Sequence, residues 1–78
     1  MYIQNRIREL ISHRLDVDPW ALKPETKFID DLGADSLALT ELTLAFEEAF
    51  EIDVADEDIE KLRCVDDAVN YVSAKLAA

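Results

Sequence analysis

Seventy-eight residues are enough for one small domain, close to the lower limit for a core that holds without disulfides or metal. Half the residues are apolar and a third charged, with one Gly and two Pro, which excludes a disordered chain and a loop-rich scaffold. A net charge of −10 disfavours nucleic acid as a partner, and none is expected, because phosphate binding needs the opposite sign.

The charge is unevenly placed. Residues 1–29 and 61–78 each come out at +1, whereas residues 30–60 hold twelve Asp and Glu and no Lys or Arg. That block owns the negative field and should steer the chain toward basic protein surfaces, an attraction that salt weakens. Crowded carboxylates should also lower stability at low ionic strength. No apolar run reaches membrane-spanning length, and the segment Met1–Arg6 lacks a secretory apolar region. The lone Cys64 excludes an internal disulfide and fits a reducing compartment. A cytoplasmic, monomeric single domain over residues 1–78, with no membrane insertion, is the expectation.

The first helix is predicted over Tyr2 to Leu15, with Ile3, Ile7, Leu10, Ile11 and Leu15 at helical spacing. Asp18-Pro19 starts a short turn through Trp20 and Leu22. The long connection to Gly33 is read as ordered, pinned to the core by Val17, Leu22, Phe28, Ile29 and Leu32. Asp35 caps a second helix from Ser36 to about Glu51. At 100° per residue its core side is Leu39, Leu42, Thr43, Phe46, Ala49 and Phe50, while Leu37, Glu41, Leu44, Glu48 and Glu51 share the opposite side. Two leucines inside a carboxylate fringe suggest a docking surface.

Asp56 is predicted to cap a short third helix running to about Leu62, with Ile59 and Leu62 inward and Glu57, Asp58 and Glu60 favouring its positive end. The last helix covers Val65 to Leu76, buried through Val65, Ala68, Val69, Val72 and Leu76. The fold class is all-α: a four-helix bundle of three main helices and a short third one.

Chemistry-bearing residues are scarce. His13 has no acid and nucleophile beside it, so it reads as an ordinary helix residue. Cys64 reads as a small filler near a helix start, and Trp20 as a packing residue in a loop that could also recognise a partner. An EF-hand over residues 51–62 fails, since Ala55, Asp56 and Leu62 stand where a ligand, the glycine and the terminal acid belong. No metal-ligand spacing exists. Ser36, after Asp35 at a helix start, remains as the candidate modification site.

Its context is specific. Leu32-Gly33-Ala34-Asp35-Ser36-Leu37, Glu47-Glu48-Ala49-Phe50, Asp56-Glu57-Asp58-Ile59-Glu60-Lys61 and Asp67-Ala68-Val69-Asn70-Tyr71-Val72 together resemble the acyl carrier proteins of fatty-acid synthesis, over the whole chain. The resemblance implies a non-enzymatic carrier whose Ser36 accepts 4'-phosphopantetheine from coenzyme A, flanked by Asp35 and Leu37. A helix start exposes the hydroxyl and tolerates an attached phosphate, and Gly33 permits a tight approach. With no base beside Ser36, a phosphopantetheinyl transferase would supply base and metal for attack on the coenzyme A pyrophosphate. The arm's thiol would then hold acyl groups as thioesters.

The resemblance further implies that Leu37, Glu41, Leu44, Glu47, Glu48, Asp56 and Glu57 dock basic patches on acyl-transferring and acyl-elongating enzymes. Phe28, Leu42, Phe46, Ile59, Leu62 and Val69 would line an acyl pocket. Several positions depart from the family's usual pattern. Ala38 stands where Asp is usual two residues after the serine, and Leu39 is unusually apolar. Phe46 replaces a common leucine, Ile59 a small residue, and Ala55 a Pro. Cys64 replaces a capping Thr or Ser, leaving Asp66 to cap. These changes suggest a specialised carrier of a lipid or polyketide pathway. An acidic adaptor subunit that binds basic partners without carrier turnover is the alternative reading.

Overall fold

A computed structural model of the protein describes residues 2–77. Four α-helices follow one another: α1 (Tyr2–Leu15), α2 (Ser36–Phe50), α3 (Asp56–Ile59) and α4 (Val65–Ala77), with a 3-10 turn at Pro19–Ala21. No strand occurs among the described residues, and the whole measures 30 × 26 × 19 Å. The all-α, four-helix arrangement follows the periodicity of the sequence.

α1, α2 and α4 pack on one another, while the backbone of α3 comes close only to α2 among the helices. Ile7 and Ile11 of α1, Leu42 and Phe46 of α2 and Val72 of α4 lose all or nearly all solvent contact, and Phe28 from the connection joins them. Ile3, Leu10 and Leu15 pack partly buried at the edge of this core. α2 is covered by both α1 and α4, so its buried stripe takes in Ala45, while Ala49 is exposed rather than in the core. Leu76 is likewise 45% exposed, because the apolar stripe of α4 runs past the packed turns. Thr43 is buried, and its hydroxyl donates to the Thr40 carbonyl at 2.7 Å.

Two helices end the same way. Asp16 and Glu51 take positive φ (55° and 54°), and the next amides, Val17 and Ile52, donate five residues back to the Ser12 and Glu47 carbonyls. This closure satisfies otherwise orphaned carbonyls and folds the apolar Val17 and Ile52 onto the core.

The long connection is ordered by bonds to the start of α4. Val65 N–H donates to Thr26 C=O at 3.0 Å, Asp66 N–H to Pro24 C=O at 2.9 Å, and Phe28 N–H to Arg63 C=O at 3.0 Å, around an antiparallel bridge between Lys27 and Cys64. Loop carbonyls therefore serve the first amides of α4, so Asp66 is not its cap. The Asp67 carboxylate reaches back to Arg63 N–H instead, at 3.1 Å. Helix-like turns over 27–33 bury Phe28 and tuck in Leu32 four residues on, which leaves Ile29 58% exposed instead of pinned inward. Gly33 has φ +69°, and a Cβ there would meet nothing within 4 Å. Glycine serves the backbone conformation here, not a close approach.

α3 is shorter than its sequence suggests. It ends at Ile59, and Ala55, not Asp56, is its N-cap, without a side-chain bond. Leu62 is nevertheless buried, carried inward by the turn that follows α3.

Candidate functional site

Ser36 is exposed at the first position of α2. Asp35 caps the helix with extended backbone, and its carboxylate accepts from Ala38 N–H at 2.8 Å. That bond satisfies a helix-start amide with the aspartate, so the serine hydroxyl has no capping duty. Among the described residues, none shares a side-chain hydrogen bond with Ser36 Oγ. The Ser36 carbonyl accepts from Thr40 Oγ1 at 2.9 Å.

Beside Ser36 lies a groove of about 950 Å³ between α2, α3 and the 27–30 loop. Its apolar wall is Leu39, Ile59, Leu62 and Ile29. Thr40 and the charged side chains of Lys27, Asp30, Asp56, Glu60 and Arg63 complete it. The groove exists because α3 is one turn long and its backbone lies close only to α2, leaving the space beyond it unfilled. Of the residues read as acyl-pocket lining, Ile59 and Leu62 border this groove. Phe28, Leu42 and Phe46 are 1% exposed inside the closed core, and Val69 is 9% exposed.

The predicted docking residues divide into two groups. Leu37 and Leu44 are 67% and 53% exposed, and Glu41 and Glu48 stand exposed with them on α2. Asp56 and Glu57 are exposed on the first turn of α3. Glu47 is partly buried, and its carboxylate accepts from Val54 N–H at 3.0 Å, tying α2 to the segment before α3.

One polar cluster escaped sequence reasoning. Tyr71 Oη donates to Asp58 at 2.6 Å, and Lys61 Nζ lies 3.2 Å from the same carboxylate, so the short α3 is fastened to α4. The Tyr71 hydrogen bond, then Lys61, hold the Asp58 carboxyl below its usual range. Burial, then the bond to Asp58, push the Tyr71 phenol up. Thirteen residues separate the pair, beyond any local periodicity, and only helix packing brings them together.

Other candidates fall away from this site. His13 is exposed on α1, and Cys64 is partly buried within the bridge to Lys27. Trp20 is 84% exposed, not packed into the core. Among the described residues no group of His, Cys, Asp and Glu could hold a metal, and no helix is long and apolar enough to cross a membrane.

A capped helix start with a free serine beside a groove is the layout of a prosthetic-group carrier. Residues 5–72 match the family model described as "Phosphopantetheine attachment site". An "Acyl carrier protein" from Bdellovibrio bacteriovorus is 47% identical over 75 residues, covering 96% of each chain. The chain belongs to the acyl carrier proteins. Its covalently bound prosthetic group is 4'-phosphopantetheine, and members of the family are carriers, not catalysts.

Proposed function

We propose that Ser36 is the attachment point and that the chain presents acyl groups, as thioesters, to enzymes of fatty-acid synthesis or a related lipid or polyketide pathway. The observation that carries this reading is an exposed serine whose helix is capped by its neighbour, at the edge of a groove with an apolar wall. The residues fit the group. The helix start offers a positive end toward a phosphate diester, and the unbonded Oγ can be reached by a transferase. When bound, the arm supplies a terminal thiol for thioester formation. Asp35 fixes the helix start that presents Ser36, and exposed Leu37 stands beside the attachment point.

Partner enzymes, the phosphopantetheinyl transferase among them, dock basic patches on Leu37, Glu41, Leu44 and Glu48, with Asp56 and Glu57 extending the surface. The leucines supply apolar contact within a field that speeds encounter, and weak, salt-sensitive binding suits a carrier that visits many enzymes. Glu47 contributes by holding the α2–α3 connection in place. Cargo lies along Leu39, Ile59 and Leu62. Phe28, Leu42, Phe46 and Val69 back that wall from the core and would line a pocket only if it deepened. The 78 residues work as a single cytoplasmic, monomeric carrier domain.

Incubation with coenzyme A and a broad-specificity transferase, followed by intact-mass measurement, tests the assignment. The expected result is a gain of one phosphopantetheinyl mass, absent in Ser36→Ala; a gain that persists in Ser36→Ala would overturn it. Ala38 stands where the family usually has Asp, and a faster transfer rate for Ala38→Asp marks a carrier tuned to a dedicated transferase. Equal rates remove that idea.

A further inference from the structure

Lys27 and Arg63 frame the acidic block without belonging to it, since residues 30–60 contain no cation. They are far apart in sequence, yet the Lys27–Cys64 bridge and the bond from Phe28 N–H to Arg63 C=O set them side by side. Both line the groove that borders Ser36, and among the described residues they are its only cations. In a chain with eight Lys and Arg against eighteen acids, two cations in one groove call for a use.

Neither is committed elsewhere. Lys27 Nζ is 3.9 Å from Asp30, with both side chains more than 60% exposed, a spacing and exposure at which a pair holds weakly. Among the described residues no carboxylate lies within ion-pair distance of the Arg63 guanidinium; its backbone alone is bonded, to Asp67 and Phe28. A guanidinium fork with a mobile ammonium beside it suits an oxyanion with two or more acceptor oxygens. Asp30, Asp56 and Glu60 on the same groove repel anions, so the pair selects an anion only where tethering supplies high local concentration.

We propose that Lys27 and Arg63 form an anion-binding pair in the groove, engaging an oxyanion tethered at Ser36. The anion is either the phosphodiester of the arm or a carboxylate at the far end of a dicarboxylic acyl cargo. This inference rests on the reading of Ser36 as the attachment point.

The test compares the full chain, Lys27→Gln/Arg63→Gln, and Arg14→Gln/Lys23→Gln, a control of equal net charge whose exposed cations lie outside the groove. Each is prepared unmodified, with the arm, and with butyryl or glutaryl on the arm, and followed by Tm and by the 31P chemical shift. If the phosphodiester is the ligand, attaching the arm raises Tm by about 2–5 °C and moves the 31P signal in the parent and control, but not in the groove variant. If the cargo carboxylate is the ligand, glutaryl but not butyryl raises Tm, and hydroxylamine cleaves the glutaryl thioester at least threefold more slowly, again only with the pair intact. Equal behaviour of parent and groove variant in both arms overturns the proposal. So does an equal loss in the control, which reduces the effect to net charge. Failure of the mass gain at Ser36 is a separate result: it removes the attachment reading and this inference with it.

Discussion

The two sides of α2 are built differently. Toward α1 and α4, Leu42 and Phe46 are 1% exposed and meet Ile7, Ile11 and Val72 in a closed core. Toward α3, Leu39 and Ile59 border an open groove, and the partner helix is a single turn held by Asp58 and Tyr71. One side stores stability, because tightly packed apolar surface is expensive to expose. The other leaves space, because four helical residues cannot cover a fifteen-residue helix. A carrier needs both, a scaffold that stays folded and a side that can admit cargo.

Truncation should break this contrast most strongly in the closed core. Phe46→Ala should cost about 3–5 kcal/mol, read from urea denaturation, and leave a chain close to unfolding. Ile59→Ala, partly exposed in the parent, should cost about 1–2 kcal/mol. Equal losses would show that the groove side is as closely packed as the core.

The clamp on α3 gives a pH signature. Because the Asp58 pKa is lowered in the fold, its contribution is present above the unfolded value of 3.8 and is lost as pH falls through the folded one. The Tyr71 pKa is raised, so its contribution is complete below 10.0 and is lost as pH rises through the folded value. Tyr71→Phe should lower Tm most between these two edges, so the difference in Tm between parent and variant shrinks toward acid and toward alkali. It should also speed amide exchange across residues 56–62 more than in α1. A difference in Tm that stays constant from pH 3 to 11 would remove the clamp.

The smallest effect is expected at the end of α2, where Glu51 adopts a left-handed conformation. Glu51→Gly relieves a cost of about 1–2 kcal/mol but adds freedom to the unfolded chain, for a net gain under about 1 kcal/mol in thermal melts. A destabilised variant would mean that Glu51 does more than turn the chain.

Most of the regular framework was legible because its causes are local. Ile7 and Ile11 sit one turn apart, and Asp35 precedes Ser36 where a helix needs a cap, so α1 and the start of α2 can be read from spacing and chemistry. Leu37 and Leu44 project outward as their angle on the helix requires. Reading failed where distant partners decide the outcome. Ile29 looked like an anchor but is turned out by the bonds that close residues 27–33. Asp56 and Asp66 looked like caps, yet Ala55 begins α3 and carbonyls of Pro24 and Thr26 receive the first amides of α4.

The candidate site divides along the same line. Periodicity and one aspartate cap already place a serine at the head of an acidic helix, since each acts within a few residues. The groove beside that serine, the presence of both Lys27 and Arg63 along it, and the bond from Tyr71 to Asp58 depend on how the connection lies against α4 and how little of α2 the third helix covers. Those contacts form between segments far apart in the chain, where packing and not propensity selects the neighbours.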